Sequence, residues 1–155
     1  MANTYTSLHY HIVFSTKNRE AFLRQEIEQR VWSYLGGIAR ENDMKALTIG
    51  GIENHVHLLL GLTPSLAVSK AVQLIKGGSS AWTKENLSGL RGFGWQDGYA
   101  AFTVSKSLVP EVDAYIRAQR EHHRMKTFEE EYRAFLVKRE ISFDERYLFD
   151  REFAG

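Results

Sequence analysis

Two histidines separated by one residue are the first feature of this sequence that could do chemistry. His55 and His57 lead into an aliphatic run, Leu58–Leu60, and the segment has the pattern of a β-strand. Because alternate side chains of a strand share one face, both imidazoles project from the same side, close enough to bind one metal ion. A third ligand must then come from elsewhere in the fold. The alternative is a half-buried strand with two incidental histidines.

A second pair of reactive side chains lies in a segment that Pro110 opens. Val112 and Ile116 fall at helical spacing there, so the segment is predicted to be an α-helix. Tyr115 and Gln119 are four positions apart, which places them on one face of a helix. The competing interpretation makes Tyr115 a core residue of the apolar stripe and Gln119 a surface residue.

The combination of His-Val-His on a strand with Tyr-x-x-x-Gln on a helix resembles the single-tyrosine HUH transposases. This is the IS200/IS605-like group, which includes relatives associated with repetitive palindromes. Residues 10–19 look like the family's first strand and its basic exit, and residues 76–82 look like its middle helix. The resemblance covers residues 5 to about 125. Each motif alone is weak, whereas the set is specific.

The resemblance implies an enzyme that cleaves and rejoins single-stranded, hairpin-bearing DNA by transesterification. Tyr115 matches the nucleophile, which keeps the energy of the broken bond in a 5′-phosphotyrosine link, so no nucleotide cofactor is needed. His55, His57 and Gln119 match the ligands of a divalent ion, Mg²⁺ or Mn²⁺ in the family, that polarises the scissile phosphate. The histidine-rich set by itself would suit Zn²⁺ equally.

Single-stranded DNA with hairpins and a second copy of the chain are the partners that the resemblance implies. Members of the family form homodimers, in which the tyrosine helix can serve the partner's histidines. The candidate DNA contacts are basic residues near the motifs: Lys17, Arg19, Lys76, Arg117, Arg120 and Arg124. Short charged runs are also typical of a solvated surface. Phe93 and Trp95, in a glycine-rich loop, either stack on unpaired bases or fold back onto the core.

Two other classes of function stay open at this point. A nucleic-acid-binding module could keep the same fold without catalysis, although a pure binder has no need of the four motif residues. A metal-dependent hydrolase could use water as the nucleophile and keep Tyr115 for structure. A covalent protein–DNA adduct distinguishes the transposase from both. The motifs do not separate a mobile-element transposase from a domesticated relative.

Composition limits the classes of protein to which this chain can belong. The chain has 155 residues, of which 43% are hydrophobic and 25% charged, as expected for one globular domain spanning residues 1–155. The net charge of +1 means that a DNA-binding surface must be a local patch. Cysteine is absent, which excludes disulfides and thiolate chemistry. Neither a signal peptide nor a membrane span is predicted, so we expect a cytoplasmic protein.

The hydrophobic periodicity predicts which elements position these residues. The predicted elements are strands at 8–16, 45–51, 55–62 and 99–105, and helices at 22–42, from Thr63-Pro64, from Pro110, and from a capping box at Thr127–Glu130. This is the order of a ferredoxin-like α+β domain, with an antiparallel sheet whose first and third strands are central. Two helices should cover one face and the tyrosine helix the other. A C-terminal helix and an aromatic tail follow from about residue 127.

Several neighbours of the motifs also carry expectations. If the first and third strands pair, His9 or His11 should approach the metal site and support one of its ligands. Asn54 is expected mainly to form the turn before the third strand. His122 and His123 are expected at a solvated helix end.

Overall fold

The strands and helices occur in the predicted ferredoxin-like order in the computed structural model, which describes residues 3–149. The elements are β1 His9–Ser15, α1 Gln25–Glu41, β2 Lys45–Ile52, β3 His55–Gly61, α2 Val68–Asn86, β4 Ala100–Val104, α3 Val109–Arg117, α4 Gln119–His122 and α5 Phe128–Lys138. Short 3₁₀ turns lie at 17–19, 106–108 and 145–147. None of the helices in this part of the chain combines the length and the apolar character needed to cross a membrane.

The four strands form one antiparallel sheet in the order β2-β3-β1-β4. The predicted central pair, β1 and β3, is therefore confirmed. Val13 lies opposite His57, and Ser15 lies opposite His55. This register places the histidine motif in the middle of the sheet, with a strand on each side of it.

One face of the sheet forms the main hydrophobic core under α1 and α2. Alternate residues of the central strands point into it, because successive side chains of a strand face opposite sides. The strand residues in this core are Ile12, Phe14, Val56, Leu58 and Leu60, all buried. The same alternation directs the intervening residues, including both motif histidines, to the other face.

The opposite face is covered by α3, α4 and α5, as the topology predicted for the tyrosine helix. Ile116 of α3 packs against Leu59 and Val104. The apolar side of α5 forms a separate cluster with the sheet, which contains Val13, Ala100, Phe102, Phe128, Tyr132 and Leu136. Polar motif residues are thus enclosed between the sheet and two small apolar clusters.

A glycine in β2 lets α3 approach the sheet closely. A Cβ atom at Gly50 would lie 2.9 Å from the carbonyl oxygen of Ile116 and 3.1 Å from its Cγ2 atom. Side chains larger than hydrogen would therefore push the tyrosine helix away from the strand that pairs with the histidine motif. Gly50 faces His57 across the β2–β3 pair.

The helix predicted to begin at Thr63-Pro64 begins later, at Val68. Ala67 occupies the N-cap position in extended conformation and offers no side-chain cap. Thr63 accepts a backbone hydrogen bond from Leu66 at 3.3 Å, and its hydroxyl contacts the Ser65 hydroxyl at 3.4 Å. The Thr-Pro pair therefore forms a turn before the helix, and the predicted start is wrong because these local bonds take the place of an N-cap.

The aromatic residues of the glycine-rich loop fold back onto the core. Phe93 and Trp95 are buried, and the Trp95 indole N–H donates to the Ser79 hydroxyl at 2.9 Å. The edge of the Trp95 ring also meets Phe14, with ring centroids 4.9 Å apart. This confirms the core alternative for the loop and removes these two rings as stacking platforms for DNA.

The C-terminal tail packs on the body through Phe149. Its ring centroid lies 6.0 Å from that of Phe128 and 5.6 Å from that of Tyr132. Phe143 and Tyr147 remain partly exposed. The rest of the predicted tail, 150–155, lies outside the described residues, as do residues 1 and 2.

The predicted capping box at the start of α5 is confirmed, and its contribution can be measured. Thr127 accepts from the Glu130 backbone N–H at 3.1 Å, and the Glu130 carboxylate accepts from the Thr127 N–H at 3.2 Å. Thr127→Ala should lower the free energy of unfolding by about 1 kcal/mol, the usual cost of losing an N-cap. Thr63→Ala is the control and should change it by less than about 0.5 kcal/mol, because Thr63 caps no helix. Urea denaturation followed by circular dichroism measures both; equal effects would contradict the assignment.

Candidate active site

β3 presents both histidines of the motif on the face that carries α3, α4 and α5. The side chains of His55 and His57 are completely buried. Their ring centroids are 5.0 Å apart. The shared face predicted from their spacing is therefore present, and the two rings lie beneath the helices rather than at the open surface of the sheet.

The tyrosine and glutamine of the second motif come from two successive helices. The backbone leaves helical torsion angles at Ala118 (φ −96°, ψ 20°), and α4 begins with Gln119. The prediction of one continuous helix is wrong for this reason. The two side chains nevertheless converge: Gln119 Oε1 lies 2.9 Å from His55 Nε2, and the Tyr115 ring centroid lies 5.8 Å from that of His57.

Neighbouring side chains occupy the Nδ1 atoms of both motif histidines. His57 Nδ1 is 2.8 Å from Nε2 of His11 on β1, and His55 Nδ1 is 2.9 Å from Oδ1 of Asn54. A partner at one ring nitrogen orients the imidazole and leaves the other nitrogen for the site. The expected approach of a β1 histidine is confirmed for His11. Asn54 contacts a motif histidine directly, in addition to forming the turn.

A carboxylate that the sequence analysis did not identify lies between the two motifs. Glu131 of α5 is 3% exposed. Its Oε1 atom lies 3.4 Å from His55 Nε2 and 3.1 Å from His57 Nε2. Its Oε2 atom accepts a short hydrogen bond from the Tyr115 hydroxyl. A single carboxylate thus contacts both histidines and the tyrosine.

His123 also joins the cluster, contrary to the expectation of a solvated helix end. Its Nε2 atom is 3.1 Å from Gln119 Oε1 and 3.2 Å from Glu131 Oε1, while Nδ1 contacts the Lys126 carbonyl at 2.6 Å. The prediction is wrong for His123 because α5 folds back over this residue and shields it. His122 is exposed, as expected.

The sequence does contain a pattern that could have identified Glu131. Phe128, Tyr132 and Phe135 form the apolar stripe of α5, and Glu131 falls within that stripe at helical spacing. A single acid on the buried side of an amphipathic helix requires a partner, since burying an unpaired charge is costly. His123 carries no comparable pattern, because its burial depends on where α5 packs.

Burial keeps two of the imidazoles neutral. It lowers the pKa of His55 to about 3, and repulsion from the neighbouring His57 adds to the effect. Burial likewise lowers the pKa of His11 to about 3, again with repulsion from His57. A neutral imidazole is the form that binds a metal ion. An unperturbed imidazole would lose a metal ion to protons near pH 6.5, whereas for His55 the lowered pKa moves this competition to much lower pH.

The Glu131 carboxylate shifts the pKa values of His123 and Tyr115, both of which contact it. Burial alone would raise its pKa, but hydrogen bonds from His123 and His57 hold the pKa below its usual range. Burial would lower the pKa of His123, yet the hydrogen bond and charge of Glu131 raise it. Burial raises the pKa of Tyr115, and the adjacent negative charge of Glu131 raises it further. The cluster therefore holds a carboxylate, a protonated phenol and an imidazole, that of His123, whose protonated form is stabilised.

The donor set fits a divalent ion. One donor atom from each of His55, His57 and Glu131 lies within 4.8 Å of the others. Bonds of about 2.1 Å to Mg²⁺ or Zn²⁺ imply distances of roughly 3.0–3.4 Å between adjacent ligand atoms, which is the spacing of the Glu131 oxygen from the two imidazoles. Gln119 Oε1, beside His55 Nε2, offers a fourth donor.

A cavity of about 180 Å³ opens next to the tyrosine hydroxyl. It is lined by Tyr115, Lys126, Glu131, Ala134, Phe135 and Lys138. Two of these six residues are lysines, whose charge suits a phosphate group approaching the hydroxyl. None of the six belongs to the sequence-based set of DNA contacts.

Three of the predicted DNA contacts lie on the β1 exit and on α2. Lys17 and Arg19 form the short 3₁₀ turn after β1, and Arg19 pairs with Glu129 at 3.0 Å. Lys76 donates its ammonium group to the backbone carbonyls of Gln96–Gly98 at 2.7–3.3 Å. In this structure Lys76 therefore holds the loop before β4.

The three arginines predicted to contact DNA lie on or after α3, outside the buried cluster. Arg117 pairs with an aspartate on its own helix at 3.0 Å. Arg120 bridges Glu28 and Glu53 at 2.8 and 2.9 Å. Arg124 is exposed and pairs with an acid three residues earlier. Their roles in DNA binding stay predictions.

Comparison with known proteins identifies the family of this chain. The family model described as "Transposase IS200 like" matches residues 4–119, about three quarters of the chain. The chain belongs to the IS200-like transposase family. This confirms the resemblance stated from the two motifs, and the matched region ends at Gln119, before α5.

Individual relatives support the same assignment. The ISDra2 transposase TnpA of Deinococcus radiodurans is 32% identical over 119 residues, which cover 72% of this chain and 84% of that protein. The transposase for insertion sequence element IS200 of Salmonella typhimurium is 30% identical over 131 residues, covering 81% of this chain and 85% of that protein. Both alignments span most of each protein.

Solved structures share the fold. A crystal structure from Deinococcus radiodurans R1, described as that of a transposase, has a TM-score of 0.64 at 27% identity and covers 77% of this chain and 95% of that one. The structure of a REP-associated tyrosine transposase bound to a REP hairpin has a TM-score of 0.59 at 15% identity, with coverages of 79% and 73%. The second likeness concerns the fold alone.

The buried neutral histidines predict how the stability of this IS200-like transposase varies with pH. The pKa values of His11 and His55 fall from 6.5 to about 3 on folding, so the unfolded chain binds more protons below pH 6.5. The contribution of these two imidazoles to stability should be complete above pH 6.5 and fall as the pH drops towards 3, by at most about 1.4 kcal/mol per pH unit for each.

Urea denaturation of the metal-free protein at pH 6.5 and pH 5.0 measures this slope. The raised pKa of His123 has the opposite effect, but its stabilisation is nearly complete at pH 5.0 and begins to fall only near pH 6.5, so it offsets a small part of the slope in this window. His11→Phe removes one of the two groups and should roughly halve the slope. Equal stability of the unmodified protein at the two pH values would contradict the assignment of neutral buried imidazoles.

Proposed function

We propose that the protein cleaves and rejoins single-stranded, hairpin-bearing DNA, with Tyr115 as nucleophile and a divalent ion held by His55, His57 and Gln119. One observation carries the proposal: the Tyr115 hydroxyl and both histidine Nε2 atoms meet at one carboxylate within a single chain. The names of the relatives, as transposases of insertion sequences, support strand transfer as the reaction. Hairpin DNA as substrate is supported by the resemblance and by the hairpin in a protein of the same fold.

The reaction forms one bond and breaks one. The Tyr115 oxygen attacks the scissile phosphorus, a tyrosyl–phosphate bond forms, and the bond from phosphorus to the 3′-oxygen breaks. The phenol loses its proton, and the departing 3′-oxygen gains one and leaves as a 3′-hydroxyl. Attack on the phosphotyrosine by the 3′-hydroxyl of another strand reverses these steps and rejoins DNA without a nucleotide cofactor.

Different side chains of the chain receive the phosphate and orient the two histidines. The cavity beside Tyr115 admits the phosphate, with Lys126 and Lys138 on its walls. His11 and Asn54 hold the two histidine rings so that Nε2 of each faces the site. When bound, the ion supplies positive charge to the phosphate oxygens. The histidines by themselves would suit Zn²⁺ equally. Because the donor set also includes oxygen atoms, it suits Mn²⁺ and Mg²⁺ better than a set of imidazoles alone would.

Replacing Tyr115 by Phe tests the proposed nucleophile. The hydroxyl is lost while the ring, which packs near His57 and Phe135, is kept. We expect the variant to fold and bind hairpin DNA but to lose cleavage and the covalent protein–DNA adduct. Denaturing gel electrophoresis with labelled single-stranded DNA measures both products, and the same sequence as perfect duplex should be cleaved less well.

The other six tyrosines, each replaced by Phe, are matched controls: Tyr5, Tyr10, Tyr34, Tyr99, Tyr132 and Tyr147. Each control should retain the adduct. An adduct that persists in Tyr115→Phe, or that peptide mapping places on a control tyrosine, rules out this nucleophile. Cleavage without any adduct would favour a hydrolase that uses water, and binding without cleavage would favour a non-catalytic module.

We also propose that the protein forms a homodimer, as the family resemblance implies. Within one chain the Tyr115 hydroxyl already lies at the histidine cluster. This arrangement favours a site completed by one chain, whereas an exchange of tyrosine helices would combine residues of two chains. The two arrangements differ in which inactive variants can restore activity to each other.

Mixing two inactive variants distinguishes these arrangements. Tyr115→Phe lacks the nucleophile and His57→Ala lacks a metal ligand, so each alone should be inactive. If each chain completes its own site, the mixture should stay inactive in the adduct assay. Restored activity would show that the tyrosine of one chain serves the histidines of another. Light scattering of the unmodified protein gives the oligomeric state, and a monomer at working concentration would reject the dimer.

A further inference from the structure

The Glu131 carboxylate lies among side chains that can bind a metal ion. The carboxylate is almost fully buried, and three imidazole nitrogens surround its Oε1 atom. Gln119 brings a second acceptor oxygen to the same place, 2.9 Å from His55 Nε2. Two acceptor oxygens and two imidazole nitrogens therefore meet at one buried point, which is a donor set that a shared cation stabilises.

We propose that Glu131 is a protein ligand of the divalent ion, together with His55 and His57, so that α5 completes the active site. This rests on the proposed function for the identity of the ion. It adds a ligand that the His-x-His and Tyr-x-x-x-Gln motifs do not contain. Glu131 lies twelve positions beyond the end of the family match at residue 119.

The geometry of the carboxylate supports this role. Oε1 lies 3.1–3.4 Å from the two Nε2 atoms, so it occupies a position adjacent to both within one coordination sphere. Oε2 points away from the histidines and accepts from the Tyr115 hydroxyl. Glu131 can therefore bind the ion through one oxygen and hold the nucleophile beside it through the other.

The packing of α5 fixes the carboxylate in this position. Phe128 stacks on His55 with ring centroids 4.6 Å apart, and Phe135 lies 5.3 Å from the ring of His11. These two contacts flank Glu131 on the same helix face. A capping box begins the helix at Thr127. Because the helix is anchored on both sides of Glu131, an ion bound there should in turn stabilise the docking of α5 on the sheet.

Mn²⁺ titration by isothermal calorimetry, without DNA, tests the ligand directly. Glu131→Gln keeps the size of the side chain and removes its charge, so Mn²⁺ affinity should fall at least about tenfold. Glu131→Asp keeps a carboxylate on a shorter side chain and should give an intermediate affinity. Glu121→Gln makes the same chemical change at an exposed acid of α4 and should leave the affinity unchanged.

Hydrogen exchange of the unmodified protein gives a second measurement that needs no variant. If Glu131 binds the ion, Mn²⁺ should slow the exchange of the α5 amides, because the helix gains a link to the sheet. If the carboxylate instead blocks the metal site, Mn²⁺ must displace it, and the same amides should exchange faster. Faster or unchanged exchange in α5 overturns the proposal.

The outcomes separate this inference from the proposed function. Unchanged or tighter Mn²⁺ binding by Glu131→Gln, or no Mn²⁺ binding by the unmodified protein, overturns the ligand assignment. Neither result touches the adduct test of Tyr115. Conversely, Mn²⁺ binding that depends on Glu131 supports the ligand even if the unmodified protein forms no adduct. If Glu131→Gln does not fold, the affinity of Glu131→Asp and the exchange of α5 decide.

Discussion

The burial of a carboxylate among imidazoles is the constraint on which the rest of this site depends. An unpaired charge is too costly to place between a sheet and helices, so the polar groups around Glu131 must donate hydrogen bonds to it or carry positive charge. The tyrosine hydroxyl and the His123 imidazole donate to it directly. Burial raises the pKa of Tyr115 and the same carboxylate raises it further, which keeps the hydroxyl protonated at neutral pH.

Side chains alternate along β1 and β3, so the residues of the main hydrophobic core lie on one face of the sheet and the residues of the candidate site lie on the other. On β3, Val56, Leu58 and Leu60 pack into the core under α1 and α2, while His55 and His57 face the other helices. Substitutions on one face therefore need not alter the other directly. The face that carries the histidines must also be covered. Helices α3, α4 and α5 cover it and pack on it through only small apolar clusters.

The C-terminal part of the chain is more closely tied to the site than the family match indicates. The matched region ends at Gln119, yet His123 and Glu131 both contact the motif residues. Phe149, further along, packs on α5. Helix α5 therefore lies beyond the region that the family model matches, although one of its side chains is part of the site.

Local patterns in the sequence determined the strands, the capping box and the two motifs, because periodicity and capping depend on neighbouring residues. They also predicted the central β1–β3 pair and the approach of a β1 histidine, since the topology follows from element order. The break at Ala118, the turn at Thr63, the burial of His123 and the position of Glu131 were decided only by the tertiary structure. Each depends on contacts between segments distant in the chain, above all on α5 folding back over β3, and no local spacing encodes where a helix packs.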